Sequence, residues 1–209
     1  AVDNRINGIV DDWVYDFQLW DIKSGYLGNT CYEVEDIVFS VKNYALGKKI
    51  IVALGSQTRG KGVEILADAM ESGGLDGWCV VVAGKFSEEM ICQKEAISRN
   101  GGLVFDRFIT NEEMLALYSI ADLAWCFYSP EYDQASGILG RALQFSVTPV
   151  VRKGSVSEWF CASERMPHIA SIDAIGLGGV IGEYELKKTS RRALEASFER
   201  FARVSCEKI

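Results

Sequence analysis

The sequence has few of the residues that build metal centres. His168 is its only histidine, and no two of its six cysteines stand at CxxC spacing. The cysteines are Cys31, Cys79, Cys92, Cys126, Cys161 and Cys206. Because structural zinc is held by clustered cysteine and histidine, we expect no metal site. Cys79 and Cys126 lie in apolar, strand-like runs, which predicts buried thiols in a reduced, intracellular protein.

The sequence also lacks an excess of positive charge and any long apolar run. Its net charge of -7 argues against general binding to nucleic acid or to anionic membranes. No stretch of about 18 apolar residues exists, so we expect no transmembrane helix. The N-terminus carries acids where a signal peptide needs basic and then apolar residues, which predicts a cytoplasmic protein. The missing initiator methionine favours a fragment or a processed chain.

The chain is 48% hydrophobic over 209 residues, which suits one globular domain with or without an extension. Residues 1–46 combine many acids and glycines with aromatic residues that include Trp13, Tyr15, Phe17, Trp20 and Tyr26. These are too many aromatic side chains for a disordered linker. We therefore interpret residues 1–46 as an extension or interdomain segment, and residues 47–209 as the domain proper.

From Lys48 the sequence alternates between buried-strand and helical patterns. The strand-like runs are KKIIVALG, WCVVVAG, LVFDRFI, LAWCFYS and TPVV. The helical runs between them include SEEMICQKEAISRNGG, where Ser87 is a candidate cap and Asn100-Gly101 a candidate stop. This alternation predicts a Rossmann-like α/β fold, an open parallel sheet with helices on both faces and right-handed crossovers.

The C-terminal run LKKTSRRALEASFERFARVS has an apolar stripe surrounded by basic residues. We interpret it as a helix that docks on the domain. The alternative is a basic amphipathic helix that makes peripheral contact with a membrane surface.

Two loops at the carboxyl ends of the strands are suited to binding an anion. In GSQTRGKG, residues 55–62, a turn enters a helix and carries Arg59 and Lys61, although neither a Walker A nor a GxGxxG motif is present. In SPEYDQASG, residues 129–137, Ser136 and Gly137 begin a helix. Either loop alone could be a solvated surface turn. Because ligands bind at this edge of a parallel sheet, the pair predicts a diphosphate ligand with a hydroxylated group, such as a nucleotide sugar.

From about Lys48 to Gly154 the chain resembles the C-terminal, donor-binding domain of retaining GT-B glycosyltransferases of the glycosyltransferase family 4 type. The matching pieces are, in order, GSQTRGKGVEIL, WCVVVAGK, LVFDRFITNEEMLALYSIADLAW and SPEYDQASGILGRALQFSVTPVV. The resemblance covers about half of the chain and implies one half of a GT-B fold.

The resemblance also implies roles for individual residues. Gly55 matches the glycine that the donor pyrophosphate approaches, and Lys61 matches the lysine that neutralises its charge. Ser56 stands where the family usually has an arginine, for which Arg59 is the candidate replacement. The amides that hold the phosphate fall at Ala135, Ser136 and Gly137. The loop that reads the base falls at Arg107, Phe108 and Ile109.

The E-x7-E motif of the family is changed. Asp133 falls at the first glutamate, which binds sugar hydroxyls, and Arg141 falls at the second, which binds the ribose. If no insertion is assumed, these positions are Gln134 and Ala142 instead. In both alignments the second glutamate is missing. Because an arginine can only donate hydrogen bonds, Arg141 is a candidate contact for an anion and not for ribose hydroxyls.

The function implied is transfer of a hexosyl group from a nucleotide sugar to an acceptor with retention, in polysaccharide or glycan biosynthesis, with no metal or bound cofactor. An acceptor-binding domain of roughly 100–150 residues has no room before Lys48, so we expect a chain that is inactive without an acceptor-binding domain or partner subunit. The alternatives are a non-catalytic partner or regulatory subunit derived from a glycosyltransferase and, less favoured, an epimerase of the same fold.

Overall fold

The computed structural model describes residues 32–134 and 136–171. The predicted C-terminal helix, Ala135 and most of the aromatic N-terminal segment lie outside the described residues. Six strands form the sheet: β1 Lys49–Leu54, β2 Trp78–Ala83, β3 Leu103–Phe105, β4 Leu123–Cys126, β5 Thr148–Arg152 and β6 Ile169–Ser171. Six helices accompany them: α1 Tyr32–Ala45, α2 Val63–Glu71, α3 Ile91–Arg99, α4 Asn111–Ile120, α5 Gly137–Gln144 and α6 Val156–Ser163.

All described strand pairs are parallel, in the order β3-β2-β1-β4-β5-β6. The chain moves outward from β1 to β3, crosses back through α4, and then moves outward in the other direction from β4 to β6. The order therefore reverses between β1 and β4. This confirms the predicted Rossmann-like sheet, and it places a topological switch point between the carboxyl ends of β1 and β4.

Helices cover both faces of the sheet, as predicted. On β1, Ile51 and Ala53 belong to one core cluster with residues of α2 and α3. Ile50 and Val52 belong to the other, with residues of α1, α4, α5 and α6. Strands buried on both sides have no polar face, which is why the sequence shows continuous apolar runs.

Two strands are shorter than their apolar runs. After β4, the Tyr128 N–H donates to the Cys126 carbonyl at 3.1 Å, and after β3 the Arg107 N–H donates to Phe105 at 2.9 Å. Each bond joins residues two apart, so the chain turns away from the sheet. The residues that follow β4 are thereby released into the loop that reaches α5.

Helix α3 ends at Asn100-Gly101 as predicted, with Gly101 at φ +81°. The prediction that Ser87 caps its start is wrong. A 3₁₀ turn, Glu88–Met90, comes first, and the Ser87 side chain makes no capping bond. Asp106 instead fixes the chain here, since its Oδ1 accepts from the Phe86 N–H at 3.0 Å and its Oδ2 from Lys94 Nζ at 3.0 Å.

The Asp106 carboxylate makes stability depend on pH. The Phe86 N–H, followed by Lys94, lowers the pKa of Asp106 to about 2. A carboxyl with a lowered pKa stabilises the fold above its unfolded pKa and loses that effect as pH falls towards its folded pKa. We expect Asp106→Asn to lower the free energy of unfolding by about 1 kcal/mol at neutral pH. In urea titrations, the difference in the free energy of unfolding between wild type and variant should become smaller as pH falls from about 4 towards 2.

Candidate functional site

The loops that follow β1 and β4 meet at the switch point, as the sequence predicts. The Ser129 N–H donates to the Gly60 carbonyl at 3.1 Å, and a methyl group added at Gly60 would lie 2.7 Å from Tyr132 Cβ. A Cβ added at Gly55 would lie 3.7 Å from Ile138 Cδ1 at the start of α5. The end of β1 and the start of α5 are therefore direct neighbours.

Backbone contacts that require glycine build the first loop. Gly55 has φ +86°, and its carbonyl accepts from the buried Gln57 side chain at 2.7 Å. At Gly62, φ is +65° and a Cβ would lie 2.0 Å from the Phe127 carbonyl oxygen. The loop thus packs against the residue that follows β4, and it carries Lys61 into the space beside that strand.

Lys61 lies against two tyrosine rings. Its Nζ is 4.5 Å from the ring centroid of Tyr128 and 5.2 Å from that of Tyr132, distances at which a cation is attracted to a ring face. Burial lowers the pKa of Lys61, and the nearby Cys126 raises it by less. Within residues 32–134 and 136–171, no carboxylate forms an ion pair with Lys61. An anion at this ammonium group would favour its charged form.

Helix α5 begins beside this lysine. The Ser136 side chain accepts from the Leu139 N–H at 3.4 Å, and its Oγ is also hydrogen-bonded to the Tyr128 hydroxyl. Space is open around Gly137, where an added Cβ would meet nothing within 4 Å. Because the N–H groups of a first helical turn have no partner within the helix, this helix start can donate to an anion.

Asp133, the predicted sugar-hydroxyl ligand, already has a partner for each oxygen. Oδ2 accepts from Arg152 Nη2 at 2.8 Å, and Oδ1 accepts from the Val156 N–H at 3.0 Å, at the start of α6. Arg152 also donates through Nε to the Tyr128 carbonyl at 2.8 Å. We call this arrangement the Asp133–Arg152 clamp. It ties the loop that carries both tyrosines to β5, and sequence analysis did not identify Arg152.

Arg59 and Ser56 are both exposed residues of the first loop. Arg59 Nε lies 3.7 Å from Glu64 Oε1 on α2, with 73% of the arginine side chain exposed. Ser56 is exposed, and Gln134 is partly buried at the end of the second loop. Arg59 therefore already has a carboxylate partner in the structure.

The predicted base-reading loop leads from β3 into α4. Arg107 pairs with Glu113 through two bonds, Nη1 to Oε2 at 2.9 Å and Nη2 to Oε1 at 2.5 Å. Arg107 is also the main cause that lowers the pKa of Glu113. Phe108 is 81% exposed, whereas Ile109 is buried. The loop is thus held by an ion pair and presents an aromatic ring to solvent.

Beside this loop is a cavity of about 430 Å³ between α1 and α4, lined by residues that include Ile37, Phe105 and Glu113. Sequence analysis did not predict this cavity.

In the part of the chain that the structure describes, every helix is too short or too polar to span a bilayer. No group of three or more potential metal ligands occurs in the same part.

Neither known family models nor curated proteins match this sequence. Solved structures do match. The N-terminal domain of Candida albicans trehalose-6-phosphate phosphatase has a TM-score of 0.59 at 17% identity, over 91% of this chain and 45% of that one. A UDP-forming α,α-trehalose-phosphate synthase from Burkholderia xenovorans has a TM-score of 0.59 at 11% identity, over 81% and 46%.

WaaG, a glycosyltransferase involved in lipopolysaccharide biosynthesis, has a TM-score of 0.54 at 18% identity, over 87% of this chain and 47% of that one. The chain therefore spans less than half the length of each of these structures. At such identities the likeness concerns the fold alone. The chain has a Rossmann-like fold that corresponds to one half of a GT-B fold.

Proposed function

We propose that the chain is the donor-binding half of a glycosyltransferase. It binds a nucleoside-diphosphate sugar and, together with an acceptor-binding domain or partner subunit, transfers the sugar with retention. The observation that carries the proposal is Lys61, a partly buried cation at the switch point that pairs with no described carboxylate. The fold shared with a UDP-forming synthase and with WaaG supports it.

In the proposed complex, the diphosphate lies beside Gly55 and the start of α5. The open space at Gly137 admits the phosphate oxygens to the first N–H groups of the helix. Lys61 supplies a full positive charge next to them. When the sugar departs, negative charge develops on the diphosphate, and donors that are already fixed in place stabilise it. The tyrosine rings shield Lys61 from water, which strengthens its electrostatic effect.

Asp133 has a smaller role in this proposal than the sequence resemblance implies. A carboxylate oxygen has two lone pairs, so Asp133 accepts a sugar hydroxyl only through the lone pairs that Arg152 and Val156 leave free. Its main contribution is to hold the loop between β4 and α5. Phe108, exposed in the loop after β3, offers a ring on which a base can stack.

We expect Lys61→Met to weaken binding of UDP and of UDP-glucose by about 30-fold, or about 2 kcal/mol. The substitution removes the charge but keeps most of the side-chain length. The measurement is isothermal titration calorimetry on folded protein, with circular dichroism spectra of both variants.

The matched control is Lys153→Met, which removes an exposed lysine from the same edge of the sheet. It should change both affinities less than twofold. Folded wild-type protein that binds neither nucleotide up to about 1 mM would argue against the proposal. Equal losses in the two variants would remove Lys61 from the site and leave only general electrostatic attraction.

A further inference from the structure

The basic side chains around the ligand-binding edge differ in one respect, namely whether a carboxylate neutralises them. Most have a partner within the described residues. The pairs are Arg59–Glu64, Lys85–Asp106, Lys94–Asp106, Arg107–Glu113 and Arg152–Asp133. Two partly buried cations in the described part of the chain, Lys61 and Arg141, form no such pair. The proposed function uses Lys61 and leaves Arg141 unexplained.

The Arg141 guanidinium group has a poor set of partners. Its Nη1 lies 3.3 Å from the Met114 sulfur on α4, and a thioether is a weak acceptor. A guanidinium group has five N–H donors. Within the described residues, no oxygen accepts from any of them. No Arg141 nitrogen is both buried and without a partner, so its unpaired donors face solvent and are accessible to an anion from outside the chain.

Arg141 and Lys61 contact different elements of the structure. Arg141 follows the cap residue Ser136 by five positions, or about 7.5 Å along the axis of α5. Its head contacts the first turn of α4, the helix that follows the loop of residues 107–109. Lys61 lies against the two tyrosines of the loop that precedes α5. A diphosphate beside Lys61 therefore leaves Arg141 available for another group.

We propose that Arg141 forms a second anion subsite, so that the ligand is a nucleotide with an anionic group in addition to its diphosphate. This inference rests on the proposed function and makes its ligand more specific. The planar fork of a guanidinium group matches the two oxygens of a carboxylate or a phosphate. The anion has two sources, a carboxylate on the transferred sugar or a phosphate on the ribose.

The test compares ligand pairs that differ only in that group. UDP-glucuronate is compared with UDP-glucose for the sugar carboxylate, and 3′-phospho-ADP with ADP for the ribose phosphate, by calorimetry at constant ionic strength. We expect wild-type protein to prefer the more anionic member of one pair by at least about tenfold. Arg141→Met should abolish that preference while changing the affinity for the parent nucleotide less than about threefold.

Two further variants separate the outcomes. Lys61→Met should weaken the binding of both ligands of the preferred pair and leave the ratio of their dissociation constants unchanged. Arg99→Met, at the exposed end of α3, should leave the preference intact. If UDP or ADP binds but neither pair shows a preference, the second subsite is wrong and the proposed function stands. If Arg141→Met lowers the affinity for the parent nucleotide and for the more anionic ligand equally, Arg141 binds the diphosphate and the inference is overturned. Absence of any nucleotide binding overturns both proposals.

Discussion

Gly84→Ala is expected to lower the free energy of unfolding by about 4 kcal/mol, enough to unfold a marginally stable domain. The new Cβ would lie 1.8 Å from the Gly55 carbonyl oxygen. The Gly84 N–H donates to Phe105 at 3.1 Å and the Gly55 N–H to Ala83 at 3.0 Å. Neither backbone can move without breaking a bond between strands. Gly84 also has φ +151°, which side chains rarely adopt. The measurement is a urea titration followed by circular dichroism.

Gly137→Ala is the matched control, since its added Cβ meets nothing within 4 Å. At the first position of α5 we expect a change within about 0.5 kcal/mol. A Gly84→Ala protein with the urea midpoint of the wild type would show that the ends of β1 and β2 separate in solution. It would also mean that the position of Gly55, next to the proposed diphosphate, is not fixed.

The sheet could be predicted from the sequence because its signals are local. The strands β1 and β2 are continuous apolar runs, and the helix α4 carries its own capping box at Thr110 and Glu113. Sequence analysis did not identify α1, α6 and β6. Helix α1 lies in residues 1–46, which we interpreted as an extension, whereas α6 and β6 have only eight and three residues. Segments as short as α6 and β6 have too few residues for a period to stand out. The Ser87 cap was wrongly predicted because a carboxylate 20 residues away, Asp106, fixes that turn.

The candidate site could likewise be predicted from the sequence only in part. That the two loops are neighbours follows from strand order, and Lys61 follows from the glycine-rich turn. The tyrosine pair could not be predicted, because LAWCFYS does not show that β4 ends at Cys126. The partner of Asp133 could not be predicted either, because Arg152 lies 19 residues away at the end of the next strand. Whether Asp133 binds a sugar thus depends on a contact that only the fold creates.

Breaking the Asp133–Arg152 clamp is the second change with a large expected effect. We expect Asp133→Asn or Arg152→Gln alone to lower the free energy of unfolding by about 3 kcal/mol, because each leaves a partly buried charge without its partner. The side chains are 20% and 17% exposed. The double variant should lose less than the sum of the single losses, and this coupling isolates the pair. Urea titrations of the four proteins give the complete cycle.

The control is Glu64→Gln, which breaks the exposed pair with Arg59 and should change stability by less than about 0.5 kcal/mol.

Because Arg152 also holds the Tyr128 carbonyl, loss of the clamp should release the tyrosines around Lys61. We therefore expect UDP binding to weaken by about tenfold at a temperature where the variant is still folded. Additive single losses would show that the two charges act separately. Unchanged UDP binding in a destabilised variant would confine the clamp to stability and detach Asp133 from the ligand site.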